Sequence, residues 1–248
     1  SLDYRKNFNK GSFSIGYTLD RDLRIENSPS IEEALYQYST GPDVSFSIYS
    51  NKIFGVGDNW YNAIYGNYEM NIGTGKEDYY IERDTTGGID NIIMRNDNTT
   101  SSIYHTSSFS MPINTFGVSI IPSIDFSELW IWKYRQEEVS GDSSLIIEKE
   151  GFKRRLTGNA KVGINTNIYG LFPINIGRIN TIRHVMTPSI SFSYRPDFSQ
   201  STFGYFQQDA PSGELVDYFQ NYSATTKQET RKYTLSVYNI LQAKIQAK

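Results

Sequence analysis

The chain has 248 residues, with 24 basic and 27 acidic side chains and a net charge of −3. That balance excludes the clustered basic excess of a general nucleic-acid binder. It holds no cysteine and two histidines, which excludes disulfides, thiolate metal sites and a cysteine nucleophile. Aromatic residues make up 15% of the chain, yet its mean hydropathy is negative. Soluble β-sandwiches share that combination with outer-membrane barrels, in which every second residue faces water. There is no run of eighteen apolar residues for a transmembrane helix. The first residues lack the apolar stretch of a signal peptide. Starting without Met and stopping at "QAKIQAK", the chain reads as an interior part of a longer, processed protein.

Taken in order, the segments show period two far more than helical period. Phe13 to Leu19 alternates Phe, Ile, Tyr, Leu with Ser, Gly, Thr. Ser28 to Tyr38, "SPSIEEALYQY", is the exception: Ser30 followed by Glu33 is a capping-box pattern and predicts a helical turn or two. Val44 to Ile48 returns to alternation. Trp60 to Ile72 predicts a strand with Trp60, Ile64, Tyr68, Met70 and Ile72 on one face and Asn67, Glu69 and Asn71 on the other. Residues 73–102 read as a long polar connection. The "IGTGKE" at its start lacks the spacing and the Ser/Thr after Lys of a phosphate-binding loop.

Phe116 to Ile120 alternates again. Trp130, Trp132 and Tyr134 stand two apart, which predicts one face of one strand and an aromatic girdle at a membrane interface. Residues 137–144 read as a connection. From Phe152 to Ile168 the alternation is cleanest, with no apolar residue on the odd positions. Such a strand spans roughly 55 Å at about 3.3 Å per residue, beyond the roughly 9–11 residues that cross a bilayer at a tilt.

Its polar side carries Lys153, Arg155, Thr157, Asn159, Lys161, Asn165 and Asn167; its apolar side carries Leu156, Ala160, Val162 and Ile164. The stretch "RHVMTPSISFSYRP" repeats the pattern with Arg183, Ser189, Ser191 and Ser193 against Ile190, Phe192 and Tyr194, of which Tyr194 reads as a further interface aromatic. Pro188 in its middle donates no ladder hydrogen bond and predicts a bulge. Lys153, Arg155, Lys161, Arg183 and Arg195 read in two ways: as basic positions for an anionic glycolipid, or as wall charges paired with acidic loops. Residues 195–230 form a long connection, and Tyr233 to Ile245 a last strand whose period breaks at "YNILQAK", predicting a second bulge. His105 and His184 have no acid–base partner in the sequence, and His184 reads as a strand-packing or interfacial residue. Neither a nucleophile elbow nor a phosphate loop is present, so no enzyme, metal or cofactor is predicted.

Four segments resemble the barrel domain of the LptD family of outer-membrane lipopolysaccharide-assembly proteins, in a Bacteroidetes-like version. They are 41–55 with 60–74, "FGVSIIPSIDFSELWIWKY" (116–134), the stretch 158–199 with "YGLF" and "RHVMTPSISFSYRPDF", and "YTLSVYNILQAKI" (233–245). The resemblance implies an all-β, antiparallel transmembrane barrel, of which residues 1–248 supply about nine or ten strands within one domain. It implies lipopolysaccharide as cargo, a lumen for the sugars, a lateral seam for the lipid and an LptE-like lipoprotein plug. An LptA-like periplasmic bridge would dock through a jelly-roll that this chain does not contain. The cysteines of proteobacterial members are absent. The rivals are another outer-membrane channel and a soluble carbohydrate-binding β-sandwich.

Overall fold

The structure, a computed structural model, describes residues 1–21, 35–83, 92–140 and 143–245. Thirteen strands run in chain order among them. They are β1 (Leu2–Phe8), β2 (Gly11–Arg21), β3 (Leu35–Lys52), β4 (Tyr65–Arg83), β5 (Ile92–Ser110), β6 (Ile113–Thr115) and β7 (Val118–Ser140). β8 (Ser143–Thr166), β9 (Ile168–Ile176), β10 (Ile179–Arg195), β11 (Phe206–Gln207), β12 (Val216–Asp217) and β13 (Thr230–Ile245) follow. Eleven form one antiparallel sheet in the order β1-β2-β3-β4-β5-β7-β8-β10-β13, with β6 alongside β7 and β9 alongside β10. β11 and β12 pair separately as a short ribbon. Nine strands therefore stand side by side, in line with the count expected from alternation. They make one sheet, whereas a sandwich needs two facing sheets. The sheet is not closed: β1 and β13 are its edges.

Because side chains alternate and register fixes who faces whom, the pairings sort the wall into two faces. Across six strands one row reads Ser12, Ser47, Glu69, Thr106, Ser127, Thr157. The next row on the opposite face reads Phe13, Phe46, Met70, His105, Glu128, Leu156. Farther along, Pro122, Val162, Phe192 and Tyr233 line up on that second face.

Several expectations are corrected. Residues 73–83 and 92–102 are strand rather than connection: β4 runs on to Arg83 and pairs with β5 from Ile92; 84–91 of the expected connection lie outside the described residues. A ribbon hydrogen-bonded along its length needs no apolar face, so alternation gives no signal there. The same holds at 137–144, where β7 reaches Ser140 and β8 restarts at Ser143. Trp60 does not begin a strand; Trp60–Ala63 is a 3-10 turn, and β4 starts at Tyr65. The turn is tied by Asn62, whose side chain donates to Phe54 O at 2.7 Å and accepts from Asn59 N. Residues 28–34 of the expected helix lie outside the described residues, and Leu35 to Tyr38 belong to β3. The turn at Phe116 and Gly117, both at positive φ, delays β7 to Val118.

Pro188 is not at a bulge. β10 pairs with β13 through Pro188 and Val237 with no shift. On its other side Asn165 faces Ser189 and Ile168 faces Met186, so no residue is gained or lost. What lapses there is the strand: Asn167 lies between β8 and β9, where the proline has no N–H to offer. Thr187 Oγ1 donates to Asn167 Oδ1 at 2.7 Å and bridges the gap. Nor does "YNILQAK" bulge; the register holds through Lys244 and shifts only between Ile179 and Thr181. The uninterrupted register instead places Tyr238 and Ile240 on the polar face and Asn239 on the apolar one, where His184 Nε2 lies 2.9 Å from Asn239 Oδ1.

Candidate functional site: the polar face and the segment that covers it

Small hydroxyls and amides tile the polar face and bond across strands. Ser12 and Ser47 share a 2.8 Å contact, Ser45 donates to Asn71 at 2.7 Å, and Ser189 and Ser236 meet at 2.7 Å. Ser127 Oγ donates to Tyr104 Oη at 2.6 Å. The expected polar residues share this face: on β8, Asn165 and Lys161 pair with Ser189 and Ser193 of β10, where Ser191 faces Gly163, while Thr157 and Asn159 pair with Ser127 and Asp125 of β7. Arg183 is exposed, 5.4 Å from the Tyr169 ring. The apolar expectations, Leu156, Ala160, Val162, Ile164, Ile190, Phe192 and Tyr194, share the other face.

Toward one end the sheet splits. β5 leaves β7 after the pair Ser102 and Ile131, and β8 leaves β10 after Ala160 and Tyr194. Beyond these points β7 and β8 pair only with each other, up to Ser140 and Ser143. An unpaired ribbon edge exposes backbone groups that need partners. Residues 196–229 supply them. Gln207 lies against the β7 edge: its Oε1 accepts from Glu137 N at 2.8 Å, and its Nε2 donates to Glu137 O at 3.0 Å. Tyr205 serves β8, its hydroxyl donating to Leu156 O at 2.6 Å and accepting from Leu156 N at 3.0 Å. Arg135 N donates to Tyr218 O at 3.3 Å. Two side chains and one backbone carbonyl thus stand in for a neighbouring strand.

The segment also carries most of the apolar core. Phe198, Tyr205, Phe206 and Phe219 pack with Leu129 and Ile131 of β7. Ile131 and Phe219 are fully buried. Leu129 and Ile131 lie in register with Arg155 and Lys153, hence on the polar face. Arg155 is itself buried, donating from Nη1 to Ser223 O at 2.6 Å and to Thr225 Oγ1 at 2.7 Å. Asp217 holds the other side of Thr225, accepting from its N–H and from its hydroxyl. Lys153 Nζ lies 4.0 Å from the Tyr218 ring and 4.7 Å from the Tyr134 ring. Burial pushes the Tyr218 phenol above its ordinary value. Lys153 therefore meets rings rather than an open passage or an acidic loop, while Arg155 meets a hydroxyl and a carbonyl and lies in the field of the Asp217 carboxylate of the covering segment, closer to the second expectation than to the first. Only packing reveals this, because their places in the alternation match those of Thr157 and Asn159.

The aromatic girdle is also corrected. Trp130 and Trp132 both meet Phe152 on the apolar face. Past a register shift between Ile131 and Lys133, where β8 carries one residue more than β7, Tyr134 packs against the covering segment, 5.5 Å from Tyr218. Gly151 lies opposite with φ 152, a backbone setting that side chains rarely adopt. Beside the tryptophans the apolar face carries a polar chain that sequence reading missed. Tyr68 Oη lies 2.8 Å from His105 Nδ1, and Trp130 Nε1 donates to Glu128 at 2.8 Å. Glu128 also pairs with Arg154. The alternation carried a signal here, since His105 and Glu128 occupy positions otherwise filled by apolar residues. Gln207, Tyr205 and Phe219 carried none, being residues of an aperiodic stretch.

This fold and its two faces define an antiparallel β-wall, polar on one side and apolar on the other, with an ordered segment over part of the polar side. A family model described as LptD protein matches residues 1–248, and the chain belongs to that family. Comparison with curated proteins and with solved structures returned no match. Family membership supports a role in lipopolysaccharide transport and assembly, at the outer membrane, with lipopolysaccharide as substrate and the transport system's other components as partners.

Proposed function

We propose that this chain is part of the wall of a transmembrane β-barrel that passes lipopolysaccharide to the outer leaflet. The polar face lines a hydrated lumen for the sugars, and the apolar face meets lipid. The observation that carries this reading is the separation of faces by register, which can be followed from β2 through β3, β4, β5, β7, β8 and β10 to β13. Backbone polar groups cannot be left unpaired in hydrocarbon, and a closed barrel is the strand solution to that constraint. The open edges β1 and β13 are then joined by further strands, and the lipid leaves at a lateral seam. The turns at 9–10, 116–117 and 177–178 share one end of the sheet, which we assign to the periplasm. Residues 196–229 lie at the other end and face outside.

The logic is transport rather than chemistry. A sugar head group cannot cross hydrocarbon, because each unpaired polar group costs several kcal/mol. Hydroxyls and amides of the lumen wall keep those groups satisfied, and no covalent step is asked of them. An LptE-like plug and an LptA-like bridge are the partners this reading calls for. Depletion of the full-length protein tests it. Loss of newly made lipopolysaccharide from the cell surface is expected; normal surface lipopolysaccharide overturns the reading.

A further inference from the structure

The polar face holds a cavity of about 300 Å³ beneath the covering segment, within the range of small-molecule sites. Its floor is Asn67 and Ser108 from β4 and β5, Asp125 from β7, and Thr157 and Asn159 from β8. Phe198 and Thr226 of the covering segment wall one side, and Arg195 at the end of β10 closes another. Six parts of the chain, four strands of the wall, the end of β10 and the covering segment, thus converge on one space. We propose that this cavity is a subsite for an uncharged sugar ring of the glycolipid, and not for its phosphates. The inference rests on the transport reading above and names which part of the substrate this place takes.

Charge decides between the two. A phosphate site needs converging cations. Of the cations along β8, Lys153 and Arg155 are committed to the Tyr218 and Tyr134 rings and to Ser223 and Thr225, and Lys161, one step past Asn159 on the same face, is not part of the cavity's lining. The cavity's lining holds one guanidinium, Arg195, and one carboxylate, Asp125, and so carries no net charge. Both have capacity to spare: Arg195 reaches Thr230 only at 3.4 Å, and Asp125 meets Asn159 only at 3.5 Å. The remaining polar lining is hydroxyl and amide, groups that both donate and accept. Sugar hydroxyls present the same mixed chemistry, and the C–H face of the ring suits an aromatic wall such as Phe198.

The test uses the full-length protein in detergent with three probes: lipopolysaccharide bearing its core sugars, the same material after enzymatic dephosphorylation, and lipid A alone. The variants are Asp125→Ala and the double change Thr157→Val with Asn159→Leu. Affinity for both sugar-bearing probes is expected to fall about tenfold, the effect of one or two lost hydrogen bonds, with lipid A binding unchanged. A loss that vanishes on dephosphorylation assigns the cavity to phosphate and overturns the proposal. So does an equal loss for lipid A, or no loss at all. If a variant's thermal midpoint drops, Ser108→Ala on the half-buried lining carries the same three measurements. Failure of the unaltered protein to bind any probe would instead remove the transport reading, which separates the two failures.

Discussion

Two regions of the same β7–β8 hairpin obey different rules. In the lower wall, where β7 and β8 have neighbours on both sides, alternation alone sorts the side chains. Val162 and Ile164 share one face, and Lys161 and Asn165 share the other. In the upper part β8 has lost β10 and, past Ile131, β7 has lost β5 as well, and there the polar face carries the largest apolar cluster among the described residues. Leu129, Ile131, Lys153 and Arg155 hold polar-face positions yet lie under Phe219 and its neighbours. A sheet supported by its own ladder can leave a face to water. A ribbon that has lost its flanking strands needs another body to pack on and to satisfy its edges, and residues 196–229 are that body.

The largest expected effect lies in the upper region. Phe219→Ala empties a fully buried site and is expected to destabilise the covering segment by about 3–5 kcal/mol. Limited proteolysis of the full-length protein reads this as rapid cleavage within 196–229; unchanged resistance would dissolve the contrast between the regions. In the lower wall, Ile164→Arg is expected to cost about 2–4 kcal/mol if that face meets lipid near midplane. Its neighbour Asn165→Arg should be tolerated. Equilibrium unfolding in detergent compares the pair, and equal costs would refute the assignment of faces.

Gln207→Leu is a smaller change with a sharper target. It leaves Glu137 N–H and C=O without the side chain that serves both, at about 1–3 kcal/mol per stranded group. Amide exchange at Glu137 should accelerate while exchange in the lower strands stays slow. The smallest effect belongs to Pro188→Val. Register already runs through this position on both sides, so the change is expected to move stability by less than about 1 kcal/mol. A large loss in the same unfolding assay would mean that the proline shapes the wall after all.

Strong alternation made the lower wall legible. From Phe152 to Thr166 the residue types announce a two-faced strand, and the register bears out which residues share each side. The ends of the strands were not legible. Beyond the apolar band both faces carry polar residues, so β4, β5, β7 and β8 continue through stretches that read as loops. The one-residue shift past Ile131 was equally silent, as was the contact of Tyr134 with Tyr218. Pro188 misled in the opposite direction, because a missing donor at one position interrupts a strand without changing its register.

By itself the sequence determined the strand class, the two-faced character of the wall and the family resemblance. These follow from local side-chain period and from ordered motifs along the chain. Only the tertiary structure decided that residues 196–229 fold onto the β7–β8 ribbon, that Lys153 and Arg155 are taken up beneath them, and that a charge-balanced cavity remains beside them. Those outcomes depend on pairings between residues dozens of positions apart. The decisive quantity there was which backbone edges lacked a neighbour, and a linear pattern does not carry it.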